Sequence, residues 1–168
     1  INKIRAGKNN FYLYQDFIKN INNFDFKCVS GHIPFGIHKY LSKKTHYITI
    51  LRDPIKRIIS DYNYVINEKE HPFNKYYLSN NPMSFEDYIE FDITKNKNIL
   101  PQDIYIGSAV HNLQTRSISG EMFNNLNNFE MNSLNLNSAF KNIENHFLLI
   151  GVLDYFDQFL YLLKEKFN

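Results

Sequence analysis

The sequence predicts an α/β fold with a mainly parallel sheet, and three observations carry that expectation. Short strand-like runs alternate with helix-periodic runs along the chain, the order that builds parallel sheets. The run His46 to Leu51, HYITIL, is apolar and β-branched enough for a buried strand. It leads directly into Arg52-Asp53-Pro54, where Asp53 suits a helix cap and Pro54 the first helical position.

The remaining elements follow in order. Residues 11–21, FYLYQDFIKNI, carry apolar groups at helical spacing. Phe26 to Ser30 reads as a short strand stopped by Gly31, and Phe35 to Leu41 as a short helix. In such a strand Cys28 is expected to be a buried, structural thiol; as the only cysteine it excludes an internal disulfide and a multi-cysteine metal site. After Pro54, the residues Ile55, Ile58, Ile59, Tyr62, Val65 and Ile66 repeat at i, i+3, i+4 and i+7 and form one apolar face. Arg57 and Ser60 fall nearly opposite that face and are available to solvent, a partner or a ligand. From Asn67 to Asn81 the chain is polar, with Pro72 and Pro82 as breakers, and is expected to be a loop or insertion. Ser84 and Asp87 match a capping box that opens a short helix. Residues 94–103 read as irregular, and the Asn-rich stretch 124–137 as a loop with one short helix. Ser138 to Phe147 is expected to be helical and Leu148 to Val152 a strand. Tyr155 to Phe167 is expected to be an amphipathic helix with its apolar stripe facing the core.

A chain of 168 residues fits one domain, spanning 1–168. Its net charge of +2 is too small for a generic binder of nucleic acid or membrane, so any anion site must be local. No apolar run reaches the roughly 18 residues of a membrane-spanning helix, and no signal peptide is legible. Among the cations Lys dominates, and the arginines are only Arg5, Arg52, Arg57 and Arg116. Arg offers a planar fork that matches phosphate, which makes these positions the first candidates for anion recognition. His38, His46, His71, His111 and His146 show no metal-ligand spacing.

A strand that ends in Arg and passes at once into a helix start favours a phosphate, because free backbone N–H groups and the helix dipole add to the guanidinium. On the residues alone two readings fit. Arg52 could hold an anion with help from the Ser60 hydroxyl, or Arg52 could pair with Asp53 or a distant carboxylate and Ser60 be a plain surface residue. His32, in Ser30-Gly31-His32-Ile33-Pro34-Phe35, is either a proton acceptor or a strand-end His bonded to backbone.

The run Leu51-Arg52-Asp53-Pro54-Ile55-Lys56-Arg57-Ile58-Ile59-Ser60-Asp61-Tyr62 resembles the L-R-D-P-x-x-R-x-x-S-x-Y signature of carbohydrate sulfotransferases, more narrowly the hexuronyl/uronyl 2-O type. Gly31-His32-Ile33-Pro34-Phe35 resembles the family's G-H-[VI]-x-F segment, Asn112 to Gly120 its N-x-Q-T-R-x-[LI]-S-G stretch, and Phe147 to Val152 its F-x-x-[VI]-G-[VL] strand. The resemblance implies a P-loop-NTPase-like three-layer fold and transfer of a sulfuryl group from PAPS (3′-phosphoadenosine 5′-phosphosulfate) to a hydroxyl of a glycosaminoglycan-like carbohydrate, without a metal. It implies that Arg52 and Ser60 bind the 3′-phosphate, that His32 is the general base, and that Arg116, with Gln114 and Thr115, contacts the nucleotide or substrate anion. A second His that animal members carry two residues before the base is Ser30 here.

The family's P-loop-like segment, P-K-[TV]-[GA]-[ST]-[ST], has no match. Arg5-Ala6-Gly7-Lys8-Asn9 lacks the preceding strand and the hydroxyl residues. The chain is therefore expected to represent the C-terminal two-thirds of a catalytic domain, incomplete at the N-terminus and inactive by itself. A eukaryotic member would sit in the Golgi lumen as a type II membrane protein and a bacterial one in the cytoplasm. The alternatives are a non-catalytic sulfotransferase-like module that binds glycan or nucleotide, and another P-loop-fold nucleotide enzyme. The latter needs a G-x-x-x-x-G-K-[ST] loop, which the chain lacks.

Overall fold

The computed structural model describes residues 3–5, 18–19, 21–23, 27–31, 33–91, 112–121 and 133–167. Helices and strands are mixed, and both strand pairs are parallel. β1 (Lys3–Arg5) pairs with β2 (Cys28–Ser30), and β3 (Tyr47–Leu51) with β4 (Phe147–Val152). Contrary to expectation, a strand does precede Ala6-Gly7-Lys8-Asn9, which itself lies outside the described residues. In the second pair Tyr47 faces Phe147 and Ile48 faces Leu149, so Leu148 is the extra residue of a bulge, after which the register runs to Leu51 opposite Val152. Parallel neighbours need a crossover. Its described helices are α1 (Pro54–Asn67), α2 (Phe85–Glu90), α3 (Leu113–Ser119) and α4 (Ser133–His146), and α5 (Phe156–Phe167) follows β4. The expected helix over 11–21 and the irregular stretch 94–103 lie largely or wholly outside the described residues.

Both expected helix starts form as the local chemistry dictates. The Asp53 carboxylate accepts from the Lys56 N–H at 2.9 Å, with Pro54 first in α1. At α2 the Asp87 N–H donates to Ser84 Oγ at 3.1 Å while the Ser84 N–H donates to Asp87 Oδ2 at 3.2 Å, a complete capping box.

The largest departure from expectation is residues 67–81. Residues 68–71 and 79–81 are the expected turns, but between them Pro72 and Phe73 lead into a π-helical turn, Asn74–Leu78, and Phe73 is fully buried. Pro72 stands at the first turn of that helical run, where a missing N–H costs nothing. Asn74, itself buried, donates from Nδ2 to the Val65 and Ile66 carbonyls at 2.9 Å each, satisfying carbonyls that the end of α1 leaves open. Val65, Phe73, Leu78, Tyr88 and Phe91 make one buried cluster, flanked by Ile58, Tyr62, Ile66, Tyr77 and Met83. The apolar face of α1 is thereby split. Its C-terminal half packs into this cluster, whereas Ile55 and Ile59 remain exposed. Arg57 and Ser60, expected to stand clear of the core, are both half-buried.

Three smaller expectations also change. Cys28 forms its strand but is exposed rather than buried. α4 begins at Ser133, inside the 124–137 stretch where a loop with one short helix is expected, and runs as one continuous helix through the expected 138–147 helix. Near its start the Asn135 side chain donates to Glu121 Oε2. α5 is amphipathic but not core-facing: Phe159 is its buried residue, while Tyr155, just before it, and Phe156, Leu160, Tyr161 and Leu162 are exposed.

Phe159 seats on Gly151 of β4, where an added Cβ would lie 2.4 Å from the Phe159 ring. Gly151→Ala is therefore expected to push α5 off the strand and lower stability by about 1–3 kcal/mol. Thermal unfolding measures this, and an unchanged midpoint would contradict the seating.

Candidate anion site at the end of β3

The carboxyl ends of parallel strands are where α/β folds place ligands, and Arg52 is the first residue past the end of β3. The Asp53 carboxylate is engaged as the helix cap, so the Arg52–Asp53 pairing open on the residues alone is not what forms. Among the described residues the half-buried Arg52 guanidinium makes no ion pair and no hydrogen bond. Beside it, Lys56 in the first turn of α1 pairs with Asp154 just beyond β4 at 2.7 Å, tying together the two chain segments that leave the sheet. Both partners are about half exposed, so the pair adds little stability by itself.

The backbone of Arg52 is held from far along the chain. Its N–H donates to Gln114 Oε1 at 2.8 Å, and Gln114 Nε2 donates back to the Arg52 carbonyl at 2.8 Å. Gln114 is the second residue of α3, which begins after Asn112 in the left-handed region (φ 52°) and ends at Gly120 (φ 87°). The other end of α3 docks on the segment that follows His32: the Phe35 N–H donates to the Ser117 carbonyl at 2.8 Å. A Cβ on Gly120 would approach the Phe35 carbonyl to 3.1 Å, so both its φ and its neighbour favour glycine there. Asn142 of α4 donates to the Ile118 carbonyl at 2.9 Å, fixing α3 from behind.

The structure thus brings Gln114 of α3 onto Arg52 at the end of β3, with Thr115 and Arg116 following Gln114 along α3. Arg116 is buried at 5% exposure, and Thr115 is half-buried. Ser60 stands on the second turn of α1, half-buried and with no side-chain hydrogen bond among the described residues. His32 lies outside the described residues. Ser30 and Gly31 before it are described, as are Ile33 and Pro34 after it, and the Phe35–Ser117 bond leashes that side to α3.

Sequence reasoning missed an aromatic cluster next to this junction. The rings of Phe35, His38, Tyr47, His146 and Phe147 pack together, His38 lying 4.9 Å from His146 between centroids. The Tyr47 oxygen accepts the N–H groups of Gly36 and His38 at 3.1 and 3.0 Å and lies 2.7 Å from His38 Nδ1. With two donors already aimed at that oxygen, the phenol proton goes to Nδ1, which fits a neutral imidazole only. Burial lowers the His38 pKa, and the neighbouring His146 and Lys39 lower it further, while burial raises that of Tyr47. A His whose folded value is depressed contributes stability that is fully present above the unfolded pKa of about 6.5 and lost as pH falls through the folded value. Below about pH 6.5 the thermal midpoint should therefore decline. The decline should be smaller in His38→Asn, whose side-chain oxygen can still accept from Tyr47. His71, whose Nδ1 accepts the Phe73 N–H at 3.2 Å and whose pKa burial also lowers, adds to the decline in both proteins, so the comparison of the two is the readout.

No single run of sequence announces either feature, because Gln114 meets Arg52 across 62 residues and His146 meets His38 across more. Among the described residues no three His, Cys, Asp or Glu side chains gather as metal ligands. Neither a protein-family model, nor a curated protein, nor a solved structure matches this chain.

Proposed function

We propose that the junction of β3, α1 and α3 binds the 3′-phosphate of PAPS in a sulfotransferase whose acceptor is a carbohydrate hydroxyl. The observation that carries this reading is the Arg52 guanidinium, half-buried at a helix start and unengaged among the described residues, with Asp53 committed to the cap. A cation placed so, with the first N–H groups of α1 beside it, suits a phosphate dianion. Ser60 offers a hydroxyl that no described neighbour takes up. On the same reading the two parallel strand pairs belong to a P-loop-NTPase-like three-layer sheet.

PAPS supplies the sulfuryl group, and the residues of this chain have other tasks. On this reading Arg52 and Ser60 orient the nucleotide end, and Arg116, with Thr115, contacts the nucleotide or substrate anion. His32 takes the proton of the acceptor hydroxyl as that oxygen bonds to sulfur and the S–O bond to the 5′-phosphate breaks, releasing adenosine 3′,5′-bisphosphate; such assistance is typically worth about 10²–10⁴-fold in rate. The family's sulfate-gripping motif P-K-[TV]-[GA]-[ST]-[ST] has no match in the sequence.

Titration calorimetry with adenosine 3′,5′-bisphosphate tests the reading. Binding with a 3′-phosphate-dependent heat is expected. No binding at millimolar ligand overturns the assignment, and binding indifferent to Arg52 points instead to a module that holds its ligand elsewhere.

A further inference from the structure

The backbone of Arg52 marks the point where the β3–β4 ladder stops, since the last registered pair is Leu51 opposite Val152. One residue further, an N–H and a carbonyl would face outward without a strand partner. The Gln114 amide supplies both partners at 2.8 Å, acting as one rung of a missing strand. These bonds fix the peptide planes on either side of Arg52. The cap at Asp53 then fixes the next residue, so the direction in which the Arg52 side chain leaves the backbone is set from two sides. An amide is the one uncharged side-chain group that offers a donor and an acceptor side by side. Gln has the length to do so from the first turn of α3.

We propose that Gln114 is a positioning residue, acting on the 3′-phosphate through the Arg52 backbone rather than by touching the nucleotide. The inference rests on the proposed function, and it changes the role that the family resemblance gave to Gln114. It also explains why α3 must be docked on both the Phe35 segment and the end of β3: a shift of the helix would turn Arg52 away from its anion.

The test compares two ligands. Adenosine 3′,5′-bisphosphate carries the group that Arg52 is proposed to hold; 5′-AMP lacks it. Gln114→Met keeps the length and removes both bonds. It should weaken the bisphosphate about tenfold while 5′-AMP stays within about twofold, and amide exchange at Arg52 should accelerate. Equal losses for both ligands, or no loss for either, would overturn the inference. If Gln114→Met does not fold, Gln114→Asn, which keeps the amide one methylene short, carries the same comparison with the same expected selectivity. A wild-type protein that ignores the bisphosphate removes the proposed function itself. A wild type that binds it with the variants unaffected removes only the role of Gln114.

Discussion

Arg52→Ala is expected to weaken binding of adenosine 3′,5′-bisphosphate by about 10- to 150-fold, the range that follows from losing a charge-assisted hydrogen bond of about 1.5–3 kcal/mol. The fold should survive the change. The Arg52 guanidinium supports no described neighbour, and the bonds that hold this turn together run through its backbone and through Asp53. A loss of affinity with an unaltered thermal midpoint would therefore locate the effect in recognition. Arg52→Lys should fall between, because an ammonium keeps the charge but not the planar fork. The expected loss should also shrink at high salt, where a half-buried site still feels some screening. An Arg52→Ala protein that binds the bisphosphate like wild type would remove the central residue from the proposed site.

Phe73→Ala should cost about 3–5 kcal/mol, the usual range for emptying a large aromatic from a core. Phe73 is fully buried, stacks on Tyr77 and packs at an angle against Tyr88 and Phe91, so its removal leaves a hole bounded by rings that cannot all move inward. For a protein of this size each kcal/mol lowers the midpoint by about 2–4 °C. Chemical denaturation of the variant beside a control such as Asn80→Ala, at an exposed position nearby, gives the comparison. The polar sequence around Phe73 predicts a solvated loop, for which the change would be within about 0.5 kcal/mol. A result that small would mean the core cluster is wrongly placed.

The contrast at Phe73 marks what sequence can and cannot convey. Where the deciding interaction lies within a few residues, expectation and structure agree. Asp53 and Pro54 start α1, Ser84 and Asp87 start α2, and the strands over 47–51 and 147–152 appear within a residue of their expected bounds. Where a distant partner decides, they part. Residues 67–81 are polar enough to be a loop until Asn74 closes the end of α1 and Phe73 meets Tyr88. The apolar stripe of α5 gives the period of the helix but not its neighbour: Phe159 is buried and Leu163 half-buried, while Phe156, Leu160 and Leu162 stay exposed. The candidate site divides in the same way. Arg52 and Ser60 are legible from a helix start and a helical spacing, whereas the bond of Gln114 to Arg52 has no local signature at all.

That last contact has a cost written into the chain's connectivity. The Asn74–Val65 bond of the core spans 9 residues, the Gln114–Arg52 bond 62 and the Lys56–Asp154 bond 98. Closing the two longer loops costs about 1.7 and 2.1 kcal/mol more chain entropy than closing the short one, taking the cost as (3/2)RT ln n. The helical core of α1 and α2 is thus assembled from near neighbours, while the end of β3 is assembled from segments the unfolded chain keeps far apart. A ligand held across that end would offset part of the closure cost, stabilising these long-range contacts along with itself.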